Sequence, residues 1–135
     1  MSFRFSSDPA EMDRARIHSW LSTESYWAEG RTREKQDRAM DGSLNFGMFD
    51  AAGEQVAYAR VITDGATFAW LCDVFVSVTV RGRGAGVQLV EGVIAHLEPL
   101  GLGRVMLATA DAHALYAKFG FGPLDKPELL MARSQ

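Results

Sequence analysis

The stretch VRGRGAGVQLVEGVIAHL, residues 80–97, decides the fold of this 135-residue chain. Two arginines and three glycines occupy six consecutive positions, and an apolar run with helical spacing follows them. The preceding residues, 68–78, are rich in β-branched and aromatic side chains, which indicates a central strand. A turn from such a strand into a helix places backbone N–H groups at the positive end of the helix dipole, where glycine allows a ligand to approach closely. The pattern therefore predicts an anion site, with phosphate as the natural ligand, to which Arg81 and Arg83 add positive charge.

Strands and helices alternate through the rest of the chain. Phe3 and Phe5 alternate with polar residues and indicate a first strand in residues 2–7, and Asp8-Pro9-Ala10-Glu11 has the residues of a helix start. The further elements expected are a solvated helix in 31–40, strands at 46–49 and 56–62, a helix from Gly86 ended by Pro99, a strand at 105–108, a helix at 112–119 capped by Asp111, and two closing strands within 121–133. This order predicts a mixed sheet with helices on its faces.

Length, composition and charge restrict the class of protein. With 47% hydrophobic and 23% charged residues, the chain is expected to form one domain, residues 1–135. The net charge of −3 disfavours general nucleic-acid binding, and a single cysteine, Cys72, excludes an internal disulfide bond. No apolar run reaches the roughly 20 residues that cross a bilayer, and no signal-peptide core follows Met1. We therefore expect a cytoplasmic protein with no membrane partner.

Two familiar phosphate-binding patterns do not fit the glycine-rich stretch. The Walker pattern requires Gly-Lys-Ser/Thr, and the dinucleotide fingerprint requires a third glycine where Val87 stands. The segment Arg81-Gly82-Arg83-Gly84-Ala85-Gly86 instead resembles the Arg/Gln-x-x-Gly-x-Gly/Ala pyrophosphate loop of the GCN5-related N-acetyltransferase (GNAT) superfamily. Two more segments agree with this resemblance. Leu71-Cys72-Asp73-Val74-Phe75-Val76 is similar to the family's fourth strand, and Leu115-Tyr116-Ala117-Lys118-Phe119-Gly120-Phe121 is similar to its Leu-Tyr-x-Lys-x-Gly-Phe segment.

The resemblance, strongest over residues 68–121, implies a particular architecture. It is an α/β (α+β) fold with a central mixed, mostly antiparallel sheet of about six to seven strands, flanked by about four helices and splayed between strands four and five. The chain departs from the family in two places. The proline common before the glycines is absent, with Val78 in that region, and Thr109 stands where many relatives have an asparagine seven residues before the tyrosine.

The resemblance also implies a cofactor, acetyl-CoA. In the family, the loop amides hold its pyrophosphate, and the pantetheine arm lies between the splayed strands and bonds to their free backbone groups. The residues implied in cofactor binding are Val74, Phe75, Val76, Arg81, Gly82, Arg83, Gly84, Ala85, Gly86 and Tyr116. A backbone amide near Phe75 or Val76 is expected to bond the thioester carbonyl oxygen as that oxygen gains charge.

Acetyl transfer to an amine requires a neutral nucleophile and a proton for the departing thiolate. The resemblance places Tyr116 near the sulfur, and a phenol with a pKa of ~10 can protonate a thiolate whose thiol titrates near ~8.5. The alternative is that Tyr116 only packs on the sheet. Asp73 is the carboxylate on the central strand best placed in sequence to take the proton of the amine, and the alternative for it is a strand-end acid bonded to a neighbouring backbone group or arginine. Glu24 and Glu29 are alternative bases.

The segment between the first two helices commonly forms one wall of the family's acceptor site. Its candidate acceptor-binding residues here are Glu24, Tyr26, Trp27 and Glu29, with packing as the alternative for the two aromatic residues. The function expected is acetyl transfer to a primary amine of a small molecule, by a monomer or homodimer and without a metal. Alternatives are a protein or peptide amine as acceptor, and a noncatalytic acyl-CoA-binding or sensor module. A third alternative, an RNA-contacting surface at Arg81 and Arg83, is disfavoured by the acidic net charge.

Overall fold

The computed structural model, which describes residues 2–135, contains a five-stranded sheet in the order β1-β2-β3-β4-β5. The strands are β1 (Arg4–Ser6), β2 (Leu44–Phe49), β3 (Gln55–Thr63), β4 (Phe68–Val76) and β5 (Arg104–Met106). Neighbouring strands are antiparallel except β4 and β5, which are parallel. The prediction of a mixed, mostly antiparallel sheet is therefore confirmed.

The number of strands is lower than expected, because the two closing strands predicted within residues 121–133 are absent from the described chain. Pro123 and Pro127 have no amide hydrogen to donate to a neighbouring strand. Pro127 instead begins a short 3-10 turn, Pro127–Leu129, and residues 125–135 are exposed. The sheet therefore ends at β5.

Four helices accompany the sheet: α1 (Arg14–Glu24), α2 (Arg33–Asp41), α3 (Ala85–Leu97) and α4 (His113–Ala117). The helix start predicted at Asp8 was wrong by five residues. Asp8 caps only a 3-10 turn, Pro9–Glu11, after which Met12 is extended. Helix α1 begins after Asp13, whose carboxylate accepts a hydrogen bond from the Arg16 amide at 3.0 Å. An aspartate thus acts as an N-cap at Asp8 and again at Asp13, but only Asp13 begins an α-helix.

Two apolar cores lie on opposite faces of the sheet, because successive side chains of a strand alternate between faces. On one face, α3 packs on β3, and the buried residues include Leu89, Val90, Val93, Ala57, Ala59 and Val61. On the other face, α1 and α2 pack on β3 and β4, and the buried residues include Ile17, Trp20, Leu21, Met40, Tyr58 and Phe75. The second face is the one that carries the polar cluster described below.

Helix α3 approaches β1 so closely that Gly92 has room for no side chain. A Cβ atom at Gly92 would lie 2.4 Å from Cδ1 and Cε1 of Phe5, whose ring is stacked on Phe46 at a centroid distance of 5.8 Å. We expect Gly92→Ala to lower the free energy of unfolding by about 1–3 kcal/mol, because the Phe5 ring must leave its stack. Urea denaturation measures this change.

Gly86→Ala, in the same helix, is the matched control for Gly92→Ala. A Cβ atom at Gly86 would lie 3.5 Å from Val76 Cγ2, which is an ordinary contact. Alanine is favoured over glycine in helices by roughly 0.5–1 kcal/mol, so Gly86→Ala should leave the stability unchanged or raise it. A Gly92→Ala variant as stable as the wild type would show that β1 moves to accommodate the added methyl group without loss of stability.

Candidate active site

Strands β4 and β5 separate at the centre of the sheet. They pair only from Phe68 to Trp70, opposite Arg104–Met106, whereas β4 continues to Val76 beside β3. Beyond Trp70, the edge of β4 that faces away from β3 has no partner strand in the described chain. The predicted splay between strands four and five is therefore confirmed, and it leaves backbone groups of β4 open to a ligand.

The register of β3 and β4 shows which of these groups are open. The Ser77 amide donates to Val56 O at 2.8 Å, and Phe75 lies opposite Tyr58 in the same register. In an antiparallel pair, alternate residues bond to the partner strand and the residues between them face away. Phe75 therefore pairs with β3, and Val76 directs its N–H and C=O towards the open edge.

A glycine-rich loop follows β4 and leads into α3. Gly82 and Gly84 have φ values of 81° and 83°, in the left-handed region that glycine tolerates best. Gly84 is the N-cap residue of α3, and no side chain of the described residues caps this helix. The amides of the first turn are consequently available to an anion.

Arg81 is held against the end of β4 by two contacts. Its Nε donates to Val76 O at 3.0 Å, and its guanidinium lies over the Phe75 ring at 5.4 Å from the centroid. The positive charge is thereby fixed at the end of β4, where the glycine-rich loop begins. Arg83 is exposed on the same loop.

A β-bulge in β4 turns Asp73 away from the α3 core. The pairing changes from Tyr58 opposite Phe75 to Arg60 opposite Cys72. Two residues of β4, Asp73 and Val74, therefore lie opposite one residue of β3. Asp73 has φ 53° and is the one non-glycine residue with positive φ in the described chain. Aspartate tolerates this conformation better than most residues. Regular alternation from the buried Leu71 would have sent Asp73 into the α3 core.

The Asp73 carboxylate is bound by three side chains. Its Oδ2 accepts hydrogen bonds from Arg31 Nη1 at 2.7 Å and from Arg60 Nε at 3.0 Å. Its Oδ1 accepts one from Trp27 Nε1 at 3.0 Å. Burial alone would raise the pKa of Asp73, but the hydrogen bond from Arg31 and the charges of both arginines outweigh it and hold the pKa below the usual range. The group is a buried, charged anchor that links the α1–α2 loop to β3 and β4.

A cleft of about 530 Å³, here called the β4–β5 cleft, opens where the two strands separate. One wall is the α1–α2 loop with Tyr26, Trp27 and Arg31, and the floor is β3 and β4 from Arg60 and residues 70–74. The opposite wall is residues 107–112 and Tyr116. The Tyr26 hydroxyl accepts a hydrogen bond from the Ala110 amide at 3.0 Å, which joins the two walls.

Tyr116 lines the β4–β5 cleft and is 7% exposed. Its ring packs edge-to-face on Phe121 at a centroid distance of 6.0 Å. Burial, followed by the electrostatic influence of Tyr26 and Asp111, raises the pKa of Tyr116 to about 12. No group among residues 2–135 hydrogen-bonds to the Tyr116 hydroxyl. The phenol is therefore protonated at neutral pH and free to donate.

The structure brings several of the predicted site residues together and separates others. Those that line the β4–β5 cleft are Tyr26, Trp27, Asp73, Val74 and Tyr116. Phe75 points to the α1 core, where it stacks on Trp20 at 5.4 Å. Glu24 and Glu29 are exposed and do not line the cleft, so neither carboxylate is placed to act as a base there.

Other cleft residues were not predicted from the sequence. Arg60 shares its sheet face with Tyr58, and alternation along β3 would have indicated this once the face was known. Asp111 was expected to cap α4, but Thr109 Oγ1 accepts the hydrogen bond from the Ala112 amide at 3.0 Å instead. The Asp111 carboxylate is thereby left in the cleft wall.

Cys72 also lines the β4–β5 cleft. Burial raises the pKa of its thiol to about 11, so the thiol is neutral at physiological pH and weakly nucleophilic. Among the residues described, no group of His, Cys, Asp and Glu is arranged to hold a metal ion. In residues 2–135, no helix has the length and apolar character needed to span a membrane.

Two known proteins are similar to this chain in sequence, and the crystal structure of one of them shows the same fold. A GNAT-family protein from Xanthomonas campestris pv. campestris, provisionally described as an acetyltransferase, is 46% identical, and its crystal structure superposes with a TM-score of 0.94 over 100% of this chain and 94% of that chain. A Gibberella zeae protein, provisionally named an acetyltransferase, is 30% identical in an alignment of 132 positions that covers 84% of this chain and 75% of that protein.

A more distant structure shows the fold alone. N-acetylglutamate synthase from Neisseria gonorrhoeae, solved with coenzyme A and N-acetyl-glutamate, is 15% identical and has a TM-score of 0.74 over 95% of this chain and 30% of that chain.

The sequence model of the Acetyltransferase (GNAT) family matches residues 14–121, from the start of α1 to the end of the tyrosine segment. This match and the relatives above confirm the predicted family, the predicted fold and the prediction of an acyltransferase at the level of the family. The chain belongs to the acetyltransferase (GNAT) family.

Proposed function

We propose that this protein transfers an acetyl group from acetyl-CoA directly to a primary amine of a small molecule. The observation that carries the proposal is the separation of β4 from β5 immediately before an uncapped, left-handed glycine loop, with Tyr116 lining the resulting cleft. We further propose that residues 1–135 act as one domain, in the cytoplasm, as a monomer or homodimer without a nucleic-acid or membrane partner.

The residues of the loop and of β4 fit a diphosphate joined to an extended arm. Added Cβ atoms at Gly82 and Gly84 would meet nothing within 4 Å, so the loop surface is open towards solvent. The first-turn amides of α3 and the charge of Arg81 bind the diphosphate. The outward-facing backbone groups of β4 around Val76 bind the arm in place of a fifth-strand partner. When bound, acetyl-CoA supplies an activated acetyl thioester.

The chain's own groups have separate roles in the transfer. An outward N–H of β4 stabilises the developing negative charge on the carbonyl oxygen, an effect worth about 2.7–4 kcal/mol in other acyl-transfer sites. The register favours Val76 over Phe75 for this role, because Phe75 pairs with β3. Tyr116 Oη donates its proton to the departing sulfur.

We propose that Asp73 positions other groups and does not act as the base. Both of its oxygens already accept hydrogen bonds, and its lowered pKa makes it a weaker proton acceptor than an ordinary carboxylate. It orients Arg31, Arg60 and Trp27, each of which faces the cleft.

Two measurements test the proposed function. Acetyl-CoA at 100 times its dissociation constant should stabilise the fold by about 2.7 kcal/mol, which a melting curve detects. Thiol release is then measured with a panel of amines, amino acids, aminoglycosides and peptides. No stabilisation by millimolar acetyl-CoA would contradict the proposal. Stabilisation without thiol release from any acceptor would favour the noncatalytic acyl-CoA-binding module.

The loop glycines provide a direct test of cofactor binding. We expect Gly84→Val to weaken acetyl-CoA binding by about tenfold or more, because a branched side chain would intrude where the phosphates meet the loop amides. Isothermal titration with acetyl-CoA measures the affinity.

Gly53→Val is the matched control for Gly84→Val. Gly53 has φ 86°, and a Cβ atom there also meets nothing within 4 Å, but it lies in the turn between β2 and β3. Both variants therefore lose about 1–2 kcal/mol of stability from backbone strain, and only Gly84→Val loses affinity. Equal affinity in the two variants would place the anion elsewhere.

A further inference from the structure

We infer that the acceptor amine also carries a carboxylate, which Arg31 and Arg60 bind in the β4–β5 cleft while Asp111 attracts the ammonium group. The inference rests on the proposed function, since it names the substrate class of the same cleft. The substrate class is therefore a small zwitterion of the amino-acid type.

Arg31 and Arg60 have more N–H donors than the protein satisfies. Nη1 of Arg31 donates to Gln36 Oε1 at 2.9 Å and to Asp73 Oδ2 at 2.7 Å. Arg60 uses Nε for Asp73 and Nη1 for Ser43 Oγ, both at 3.0 Å. Within the described chain, Nη2 of each arginine has no hydrogen-bond acceptor, although a guanidinium carries five N–H donors. Both side chains line the cleft.

The charges at this end of the cleft are also unbalanced. Two guanidinium groups face one carboxylate, and the side chains of Arg31, Arg60 and Asp73 are only 19%, 11% and 1% exposed. An uncompensated charge in such a partly desolvated position is costly, and a single arginine would suffice to neutralise Asp73. One additional carboxylate restores neutrality, and its two oxygens match the planar fork of a guanidinium.

The opposite wall of the cleft carries negative charge. Asp111 makes no ion pair with any described residue, and its electrostatic influence reaches Tyr116, which also lines the cleft. An ammonium group is therefore attracted to the wall beside the proposed proton donor. A ligand with a carboxylate at the arginines and an amine at Asp111 satisfies both walls.

Apolar surface lies beside these charged groups. Trp27 is 41% exposed and Ile62 is 45% exposed, and both line the cleft together with Trp70. Exposed aromatic and aliphatic side chains at a pocket suit an apolar substituent of the ligand. Amino acids with apolar or aromatic side chains are thus the first acceptors to compare.

The test on the wild-type protein compares acceptors that differ only in the carboxylate. Each of the common amino acids is assayed beside its carboxamide, and phenylalanine is also assayed beside phenethylamine, with kcat/KM corrected for the fraction of neutral amine. We expect a preference for the carboxylate form of about tenfold to a hundredfold, as for a charge-assisted hydrogen bond. Equal or better use of the carboxamide or of phenethylamine would overturn the inference. Preference for an aminoalkyl phosphate would overturn the choice of a carboxylate.

Variants separate a binding role from a structural one. Arg31→Gln should raise KM for the best amino acid about tenfold to a hundredfold more than it raises KM for the carboxamide of that amino acid. Arg31→Lys, which keeps the charge, should restore part of the loss. Asp111→Asn should raise KM for both acceptors alike, because both carry the ammonium group. Equal losses with both acceptors in Arg31→Gln would show that Arg31 only supports Asp73.

The outcomes distinguish this inference from the proposed function. Thiol release with amines that lack a carboxylate, and none with amino acids, leaves the acetyltransferase intact and overturns the zwitterion. If acetyl-CoA stabilises the fold but no acceptor of any class releases thiol, the enzymatic proposal fails and the inference fails with it.

Discussion

Tyr116→Phe lowers kcat about 10²–10⁴-fold while the affinity for acetyl-CoA stays nearly unchanged, if the phenol is the proton donor to the leaving sulfur. Phenylalanine keeps the ring, which is 7% exposed and packs on Phe121, so the cleft retains its shape. Only the hydroxyl is lost, and no described group depends on it for a hydrogen bond. Steady-state kinetics and titration with acetyl-CoA measure the two effects separately.

Tyr26→Phe removes the other phenol of the cleft and serves as the comparison. The Tyr26 hydroxyl accepts a hydrogen bond from the Ala110 amide, so its loss affects the junction between the two walls. We expect a change of no more than about tenfold, as for one neutral hydrogen bond. Turnover in Tyr116→Phe equal to that of the wild type would remove the tyrosine from the mechanism.

The pH dependence provides an independent check of Tyr116. Burial raises the pKa of this phenol to about 12 from a model-peptide value of ~10, so the neutral acid is favoured by folding. Its contribution to stability is present below pH ~10 and is lost as the pH rises towards the folded value. The kcat profile should accordingly show no alkaline decline due to Tyr116 below pH ~10. A decline near pH 9 that disappears in Tyr116→Phe would contradict the raised pKa.

Asp73→Asn should lower the free energy of unfolding by about 3–5 kcal/mol, because it leaves Arg31 and Arg60 buried without their common carboxylate. Asparagine has the same shape, so the loss reports charge and hydrogen bonding and not volume. The Asp73 side chain is 1% exposed and holds two arginines. Denaturant unfolding followed by circular dichroism measures the change.

Asp37→Asn is the matched control for Asp73→Asn. Asp37 also contacts two arginines, Arg14 and Arg33, but its side chain is 34% exposed. Surface ion pairs contribute little net free energy because solvent screens them, so this variant should stay close to the wild type. If Asp73→Asn were as stable as Asp37→Asn and yet inactive, Asp73 would regain the role of base that its place in the sequence suggested.

The loss of folding stability at acid pH should also differ between the wild type and Asp73→Asn. Because the folded pKa of Asp73 lies below its unfolded value of ~3.9, its contribution is fully present above pH ~4 and is lost as the pH falls through the folded pKa. The wild type therefore loses this contribution below pH ~4, and Asp73→Asn, which never had it, declines less steeply there. Parallel declines in the two proteins would show that Asp73 titrates normally.

Local patterns predicted the parts of the site that are contiguous in the chain. The glycine loop at 82–86, the strand before it and the segment around Tyr116 each carry their geometry in a few consecutive residues. The helical spacing of Val87, Val90, Ile94 and Leu97 likewise indicated helix α3, although only Val90 and Leu97 of these four are buried. A few neighbouring residues determine the local backbone conformation of these elements, so the elements could be identified without the structure.

The polar cluster could not be predicted in the same way, because it depends on contacts between distant residues. The Asp73 carboxylate contacts Trp27, Arg31 and Arg60 only because Asp73 lies in a β-bulge. No residue pattern in the sequence indicates this bulge. The prediction of two closing strands within residues 121–133 was wrong for a different reason. Pro123 and Pro127 lack the amide hydrogens that a strand donates to its neighbour, and Pro127 begins a 3-10 turn instead.

The β-bulge at Asp73 has a consequence for any alignment of related chains. Leu71 and Val74, three positions apart, contribute to the same core, whereas a regular strand repeats every second position. Removing one residue at Asp73 would restore the regular pleat with Leu71, Val74 and Val76 still facing the α3 core, and it would take away the carboxylate that binds Trp27, Arg31 and Arg60. A gap at this point therefore leaves the apolar face intact and removes the carboxylate from the opposite face, and a homologue that lacks the residue should not be expected to keep the same acceptor chemistry.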